Sequence, residues 1–156
     1  MTTMDVVRID TFGSREVMKF RKCPIPTPGP NGILLKVKAA SVNPVDWKIR
    51  EGRYPAVKSD QLPYVLGRDV SGVVEACGLK TTGYQKGDQI YAMLGIDRGA
   101  YAEHVIVKVN GAGPKPTSID HPLLQECRWR GGWLMTIGGI VRIVVPQIAI
   151  AIGSNI

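Results

Sequence analysis

Few side chains here have the types and spacing that chemistry needs. The two histidines, His104 and His121, are isolated, and His104 falls in a strand pattern, as a surface or core residue rather than a metal ligand. The three cysteines, Cys23, Cys77 and Cys127, are odd in number, far apart and without a C-x-x-C pair. That spacing argues against a disulfide framework and a four-thiolate zinc site, and for a reducing, cytoplasmic setting. A phosphate-cradling loop is missing too. Gly131-Gly132 and Gly138-Gly139 lack the G-x-G-x-x-G spacing, the preceding strand and the acidic ribose contact. The remaining candidates lie around one predicted short helix. Asn43 stands at its start, Asp46 and Trp47 lie within it, Tyr54 follows it, and Arg68 comes later.

The elements that position these residues follow from periodicity and punctuation. Asn43-Pro44 reads as a helix start, because Asn accepts a backbone N–H and Pro suits the first helical position. Val45 to Arg50 is then a helix that Gly52 stops, with Asp46 and Trp47 capping and packing it. Met4 to Ile9 is an opening strand, and Glu16 to Lys22 is its hairpin partner after the Gly13-Ser14 turn. Pro24, Pro26, Pro28 and Pro30 make an extended connector. In Ile33 to Ala40, Leu35, Val37 and Ala39 alternate with Lys36 and Lys38, the period of a half-buried strand. Val70 to Ala76, Gln89 to Met93 and Ala100 to Val109 complete the strands. Gly72, inside an apolar strand, marks a bulge or a close backbone approach. Gly87-Asp88 is a turn. Six or seven short strands with one small helix predict a mainly β barrel or sandwich.

Composition is that of a globular protein: 156 residues, 44% hydrophobic and 21% charged. The net charge of +7 comes from scattered Lys and Arg, with no run longer than two and no interleaved aromatics, so nucleic acid is not an expected partner. Leu134 to Ile152 is apolar, but Arg142 near its middle and Pro146 weigh against a membrane span. The start, Met1-Thr-Thr-Met-Asp5, has no signal-peptide pattern.

Four stretches carry a family resemblance. They are Lys36 to Gly52, Pro63 to Glu75, Gly83 to Tyr91 and Gly99 to Val107, in family order and with family spacing. Together they resemble the zinc-free, quinone oxidoreductase-like branch of the medium-chain dehydrogenase/reductase superfamily, over about Val6 to Leu124. The resemblance implies a GroES-like β-barrel catalytic domain with one or two short helices. In that family a Rossmann domain binding NADP follows, and these residues do not contain one. It also implies hydride delivery from NADPH to a quinone or enone, and a homodimeric parent enzyme. Asn43 would sit at the mouth of the cleft beside nicotinamide and substrate, a role compatible with its helix cap. Tyr54 would line the substrate cleft, or else be a loop residue packing on the barrel. In the zinc-dependent branch a Cys stands where Ser41, Val42 and Asn43 are, and a His where Arg68 is. A guanidinium stays protonated and cannot replace a neutral imidazole ligand. Only Ala92 to Arg98 separate Tyr91 from Gly99, too few for that branch's four-cysteine lobe. Neither zinc is therefore expected, and Arg68 is read as a surface ion pair.

Residues 1–124 form the expected catalytic domain, truncated relative to the family and inactive alone. Residues 125–156 resemble nothing in it. A frameshift would account for them, the alternative being a genuine divergent tail, as a hairpin, a membrane-seeking segment or a disordered end. Degenerate codons for Glu126-Cys-Arg-Trp-Arg-Gly131, read from the third base of the Glu codon, become RTG, YCG, NTG, GCG and NGG. That string admits Val-Pro-Leu-Ala-Gly, which resembles the family's continuation. Sequencing the gene tests this, and an immediate stop codon in the shifted frame would end the idea. The alternative reading for the chain is a non-catalytic binding or co-chaperonin-like barrel.

Overall fold

The structure is a computed structural model and describes residues 2–122, 140–145 and 148–152. The chain is mainly β, as its periodicity predicts. Strand β1 (Thr3–Ile9) pairs antiparallel with β2 (Met18–Pro24), Met4 opposite Cys23 and Ile9 opposite Met18. A single turn of 3-10 helix, Arg15–Val17, takes the place of the first residues expected in β2. Strand β3 (Gly32–Ala40) is followed by helix α1 (Pro44–Arg50), then by β4 (Tyr64–Val65), β5 (Asp69–Cys77), β6 (Gln89–Met93), β7 (His104–Lys108) and β8 (Ala112–Pro114). The last described elements are β9 (Ile140–Val145) and β10 (Ile148–Ile152), an antiparallel pair whose β10 meets β3 in parallel at Ala149 and Ala39. The expected domain boundary at residue 124, Cys127 and the Gly131-Gly132 and Gly138-Gly139 pairs lie outside the described residues.

The strands form two sheets. The smaller has the order β2-β1-β4, and the larger runs β8-β6-β5-β3-β10-β9 with β7 also on β3. The larger sheet ends at β8 and β9, so among the described residues the strands do not close into one ring. The barrel expectation is corrected to two sheets packed on a shared core, because an eight-residue strand cannot reveal from its own period whether its sheet closes. That core takes Leu35 and Val37, which the alternation in β3 marked, together with Ile33 of the same strand, Val7 and Ile9 from β1, Val70 and Val74 from β5, and Ile49 from α1. Lys36 and Lys38 stay exposed between them.

Two glycine readings hold for physical reasons. A Cβ at Gly72 would lie 2.2 Å from the Lys36 carbonyl oxygen, so the close approach is real, and β3 shifts register against β5 there. Gly87 adopts φ +98 in its turn. The strand expected over Ala100 to Val109 is shorter and starts at His104. Its first residues instead cross between sheets, where Val6 bridges Ala102 and the Val7 N–H donates to the Tyr101 carbonyl at 2.7 Å. Among the described residues no helix is long and apolar enough to cross a membrane.

Candidate active site

The site forms where the C-terminal end of β3, the start of β5 and the end of β6 meet the first turn of α1. Asn43 is extended (φ -115, ψ 157) and Pro44 opens the helix, as the dipeptide predicted. The Asp46 carboxylate reaches back to the Asn43 N–H at 2.7 Å, closing the reciprocal cap of a helix start. Its other oxygen accepts the Gly67 N–H at 3.0 Å, so one side chain ties the helix start to the loop before β5. Gly67 has φ +97, and a Cβ there would sit 2.6 Å from the Tyr101 ring. This loop therefore needs glycine twice over, for its backbone angle and for the ring above it.

Asp46 is 2% exposed and Tyr101 equally buried, with the Tyr101 hydroxyl 3.4 Å from the Ser41 carbonyl. Burial pushes the Asp46 carboxyl up to about 6, with the Asp69 charge adding to the rise and the Asn43 and Gly67 N–H groups opposing it. Burial, and then the neighbouring Asp46 charge, lift the Tyr101 phenol well above its ordinary value. Asp69, 8% exposed, takes the Asn43 Nδ2–H at 2.8 Å and the Ser41 hydroxyl at 3.1 Å. Ser41, Asn43, Asp46, Asp69 and Tyr101 thus form one buried polar network.

Above this network lies an open cleft of about 380 Å³, lined by Asn43, Pro44, Val45, Tyr54, Arg68, Asp69 and Met93. The structure brings both expected site residues, Asn43 and Tyr54, to the same cleft. Among the described residues Arg68 forms no ion pair, and its Nε donates instead to the Leu94 carbonyl at 3.0 Å. Trp47 does not pack inward. It is 40% exposed, on the outer face of α1, with the Lys48 ammonium 5.8 Å from its ring centre. His104 sits away from the cleft and pairs with Glu75 at 2.7 Å. Sequence reasoning passed over Asp69, Tyr101 and Met93 as site residues. An Asp two residues after Gly67 was a weak signal for Asp69, and nothing local marked Tyr101.

A catalytic zinc does not fit these residues. The position expected to supply an imidazole holds a guanidinium bonded to a carbonyl, and the Asn43 nitrogen is committed to Asp69. The purified chain is expected to carry no stoichiometric zinc. Elemental analysis finding one tightly held ion per chain would overturn this.

Comparison with known proteins agrees with this architecture. Residues 29–117 match the alcohol dehydrogenase GroES-like domain. The chain is 38% identical over 135 residues to NAD(P)H oxidoreductase RTN4IP1, mitochondrial, of Bos taurus, covering 77% of this chain and 34% of that protein. It is 37% identical over 118 residues to the quinone oxidoreductase of Homo sapiens, covering 75% and 35%. Among solved structures, the quinone oxidoreductase from Coxiella burnetii superposes with a TM-score of 0.75 at 32% identity, over 78% of this chain and 39% of that one. The chain spans about a third of the length of the curated relatives it matches. A GroES-like segment covering more than half the chain, a matching fold and these relatives together assign the chain to the alcohol dehydrogenase GroES-like domain family, within the medium-chain dehydrogenase/reductase superfamily.

Proposed function

We propose that this chain is the substrate-side catalytic domain of an NADPH-dependent quinone or enone oxidoreductase that works without zinc. The observation that carries the reading is the convergence of Asn43, Tyr54, Arg68 and Met93 on one open cleft above a buried polar network. The cleft's volume is in the range of small-molecule sites, and its lining suits the nicotinamide end of such a cofactor: an amide, a phenol, a guanidinium and a carboxylate beside apolar Pro44, Val45 and Met93. When bound, NADPH supplies the hydride. The chain's own residues orient and shield. Asn43 offers a rigid polar contact at the mouth, and Tyr54 and Arg68 offer donors toward a substrate oxygen. Val45, Pro44 and Met93 supply apolar contact for a flat ring. The likeness of the relatives supports the same class, and their names specify nicotinamide oxidoreductases and quinone oxidoreductases.

A homodimeric parent, a cytoplasmic setting and an absence of nucleic-acid or membrane partners belong to this reading. The bovine relative is itself named as mitochondrial. A co-chaperonin-like role has only the fold in its favour, whereas Asn43, Pro44 and Val45 of the Asn43-Pro44-x-Asp46 block line the cleft.

The sequence holds no G-x-G-x-x-G, so the isolated chain is expected to show no saturable NADPH binding and no quinone reduction. Calorimetric titration checks this, and a sub-millimolar constant would contradict it. In a reductase rebuilt by adding a nucleotide-binding domain, Asn43→Ala and Tyr54→Phe should each lower kcat/KM by roughly tenfold or more, the worth of one lost hydrogen bond at a reacting centre. Steady-state kinetics unchanged in both variants would remove these residues from the site.

A further inference from the structure

Resting on the reductase reading, we propose that Arg68 is the residue of the cleft that receives the oxygen on which negative charge collects as a quinone or enone is reduced. Its guanidinium is clamped at one end by Leu94, and its terminal amino groups are left to pair with that oxygen.

The guanidinium is ordered by its surroundings. The Arg68 Nε–H donates to the Leu94 carbonyl at 3.0 Å, and the Arg68 carbonyl accepts the Leu94 N–H at 2.6 Å, so the two residues hold each other in both directions. Leu94 is 3% exposed and sits in the core. The backbone on either side of Arg68 is fixed as well. Gly67 gives its N–H to the Asp46 carboxylate at 3.0 Å, and Asp69 pairs with Met93 between β5 and β6. A long side chain that is costly to order is therefore held in place before a ligand arrives.

Most of its donors are unspent. A guanidinium has five N–H groups, and Nε uses one on Leu94. Among the described residues, Nη1 and Nη2 have no hydrogen bond and no carboxylate at ion-pair distance. Arg68 lines the cleft with Tyr54, Pro44, Val45 and Met93. The neighbouring carboxylate, Asp69, is engaged by the Asn43 Nδ2–H at 2.8 Å and the Ser41 hydroxyl at 3.1 Å.

Reduction of a quinone or enone creates the demand that such a group meets. Hydride, taken from a reduced nicotinamide that is thereby oxidised, forms a C–H bond at an electron-poor carbon. The displaced π pair moves through the conjugated system to the carbonyl oxygen, and the resulting anion takes its proton from water. A contact that strengthens as this charge forms speeds the step. A guanidinium stays charged and keeps its protons, so Arg68 stabilises the oxygen without acting as an acid. Tyr54, a neutral phenol, is the weaker donor to an anionic oxygen.

The experiment uses the ¹⁵N-labelled full 156-residue chain as wild type and Arg68→Gln, with circular dichroism as a check on folding. In the wild type, the Arg68 Nε–H should exchange with water roughly tenfold or more slowly than that of Arg53, whose side chain is 69% exposed. Equal exchange would overturn the clamp and the proposal with it. Two probes of matched shape are then titrated at one pH, chosen so that the first is ionised: para-nitrophenolate, with an anionic oxygen, and para-nitroanisole, its neutral methyl ether. The phenolate should bind the wild type roughly tenfold or more tightly than the ether, moving the Arg68 Nε–H and the Met93 and Leu94 N–H resonances, and Arg68→Gln should lose that preference. Equal affinity for the two probes in the wild type, or a preference kept in Arg68→Gln, would overturn the role of Arg68 while leaving the substrate cleft standing. If neither probe moves the Val45 and Met93 resonances, the cleft is not a substrate site, and the reductase reading falls together with the proposal. If Arg68→Gln does not fold, the wild-type Arg68 Nε–H decides: a shift with the phenolate alone supports the proposal, and equal shifts with both probes overturn it.

Discussion

Gly99→Ala is expected to leave the domain largely unfolded at room temperature. A Cβ at Gly99 would stand 1.9 Å from the Val65 carbonyl oxygen and 2.3 Å from that of Leu66. Both obstacles are backbone, so no side chain can swing aside. They belong to the segment that Ala100 and Tyr101 clasp, through the Ala100 N–H to Gly67 at 3.1 Å and the Tyr101 N–H to Leu66 at 3.0 Å. Relieving the clash means parting that segment, which loses these bonds and lifts Tyr101 from its place over Gly67. A cost of about 3–5 kcal/mol is in the range of severe core overpacking and broken networks, and it rivals the whole stability of many domains. Two controls separate steric from conformational effects. Gly83 has φ +81 and open space around it, so Gly83→Ala should cost about 1 kcal/mol from its backbone angle alone. Gly29 has open space and no such angle, so Gly29→Ala should be close to neutral. Urea denaturation of the three variants ranks them, and a Gly99→Ala midpoint equal to that of Gly29→Ala would refute the close approach.

The second large effect is a pH dependence that resides in Asp46. Its carboxyl is raised from 3.8 to about 6 in the folded chain, chiefly by burial. Between those values the folded state holds a proton that the unfolded state has released. Folding stability therefore falls as pH rises through about 4 to 6 and is level above that window. A shift of roughly two units corresponds to about 3 kcal/mol. Asp46→Asn cannot titrate, so the difference in stability between wild type and variant should change by about that amount between pH 4 and pH 7. Chemical denaturation at several pH values measures it, and parallel curves for the two proteins would contradict the raised carboxyl. At neutral pH, Asp46→Ala should cost about 2–5 kcal/mol, because it strands the buried Asn43 and Gly67 N–H groups together. The ionised form is thus costly to bury yet hard to replace, a balance in which two backbone donors offset desolvation without overcoming it.

Much of the architecture was legible from short stretches of chain. The alternation of Leu35, Val37 and Ala39 with Lys36 and Lys38 named both faces of β3, since side chains in a strand alternate whatever surrounds it. Asn43-Pro44 located the start of α1, since a helix start must satisfy its own N–H groups locally. Gly72 and Gly87 were recognised because glycine inside a strand or before an Asp has few local explanations. The resemblance of four ordered blocks indicated the family, and Asn43 and Tyr54 do share a cleft. The misreadings share one cause. Trp47 was expected to help pack the helix, but α1 has under two turns and buries only Asp46 and Ile49, leaving Trp47 40% exposed. Arg68 was given an ionic partner because charge was all the sequence showed, whereas the carbonyl of Leu94, just past β6, takes its Nε–H.

What the sequence determined by itself, then, is everything that depends on neighbours within a few residues: the strand faces, the helix start, the turns and the family to which the blocks belong. Only the tertiary structure decided whether the sheets close and which groups meet across the chain. It set Asp46 against Gly67, 21 residues on, and Asn43 against Asp69, 26 residues on. It also laid the Tyr101 ring over Gly67 and its hydroxyl toward Asp46, where burial raises the carboxyl and the Tyr101 hydrogen bond opposes that rise. The physical reason is range. Backbone angles and side-chain alternation are set by local sterics and local hydrogen bonds. A buried carboxylate's partners and its proton affinity depend on groups that only packing brings within about 3 Å.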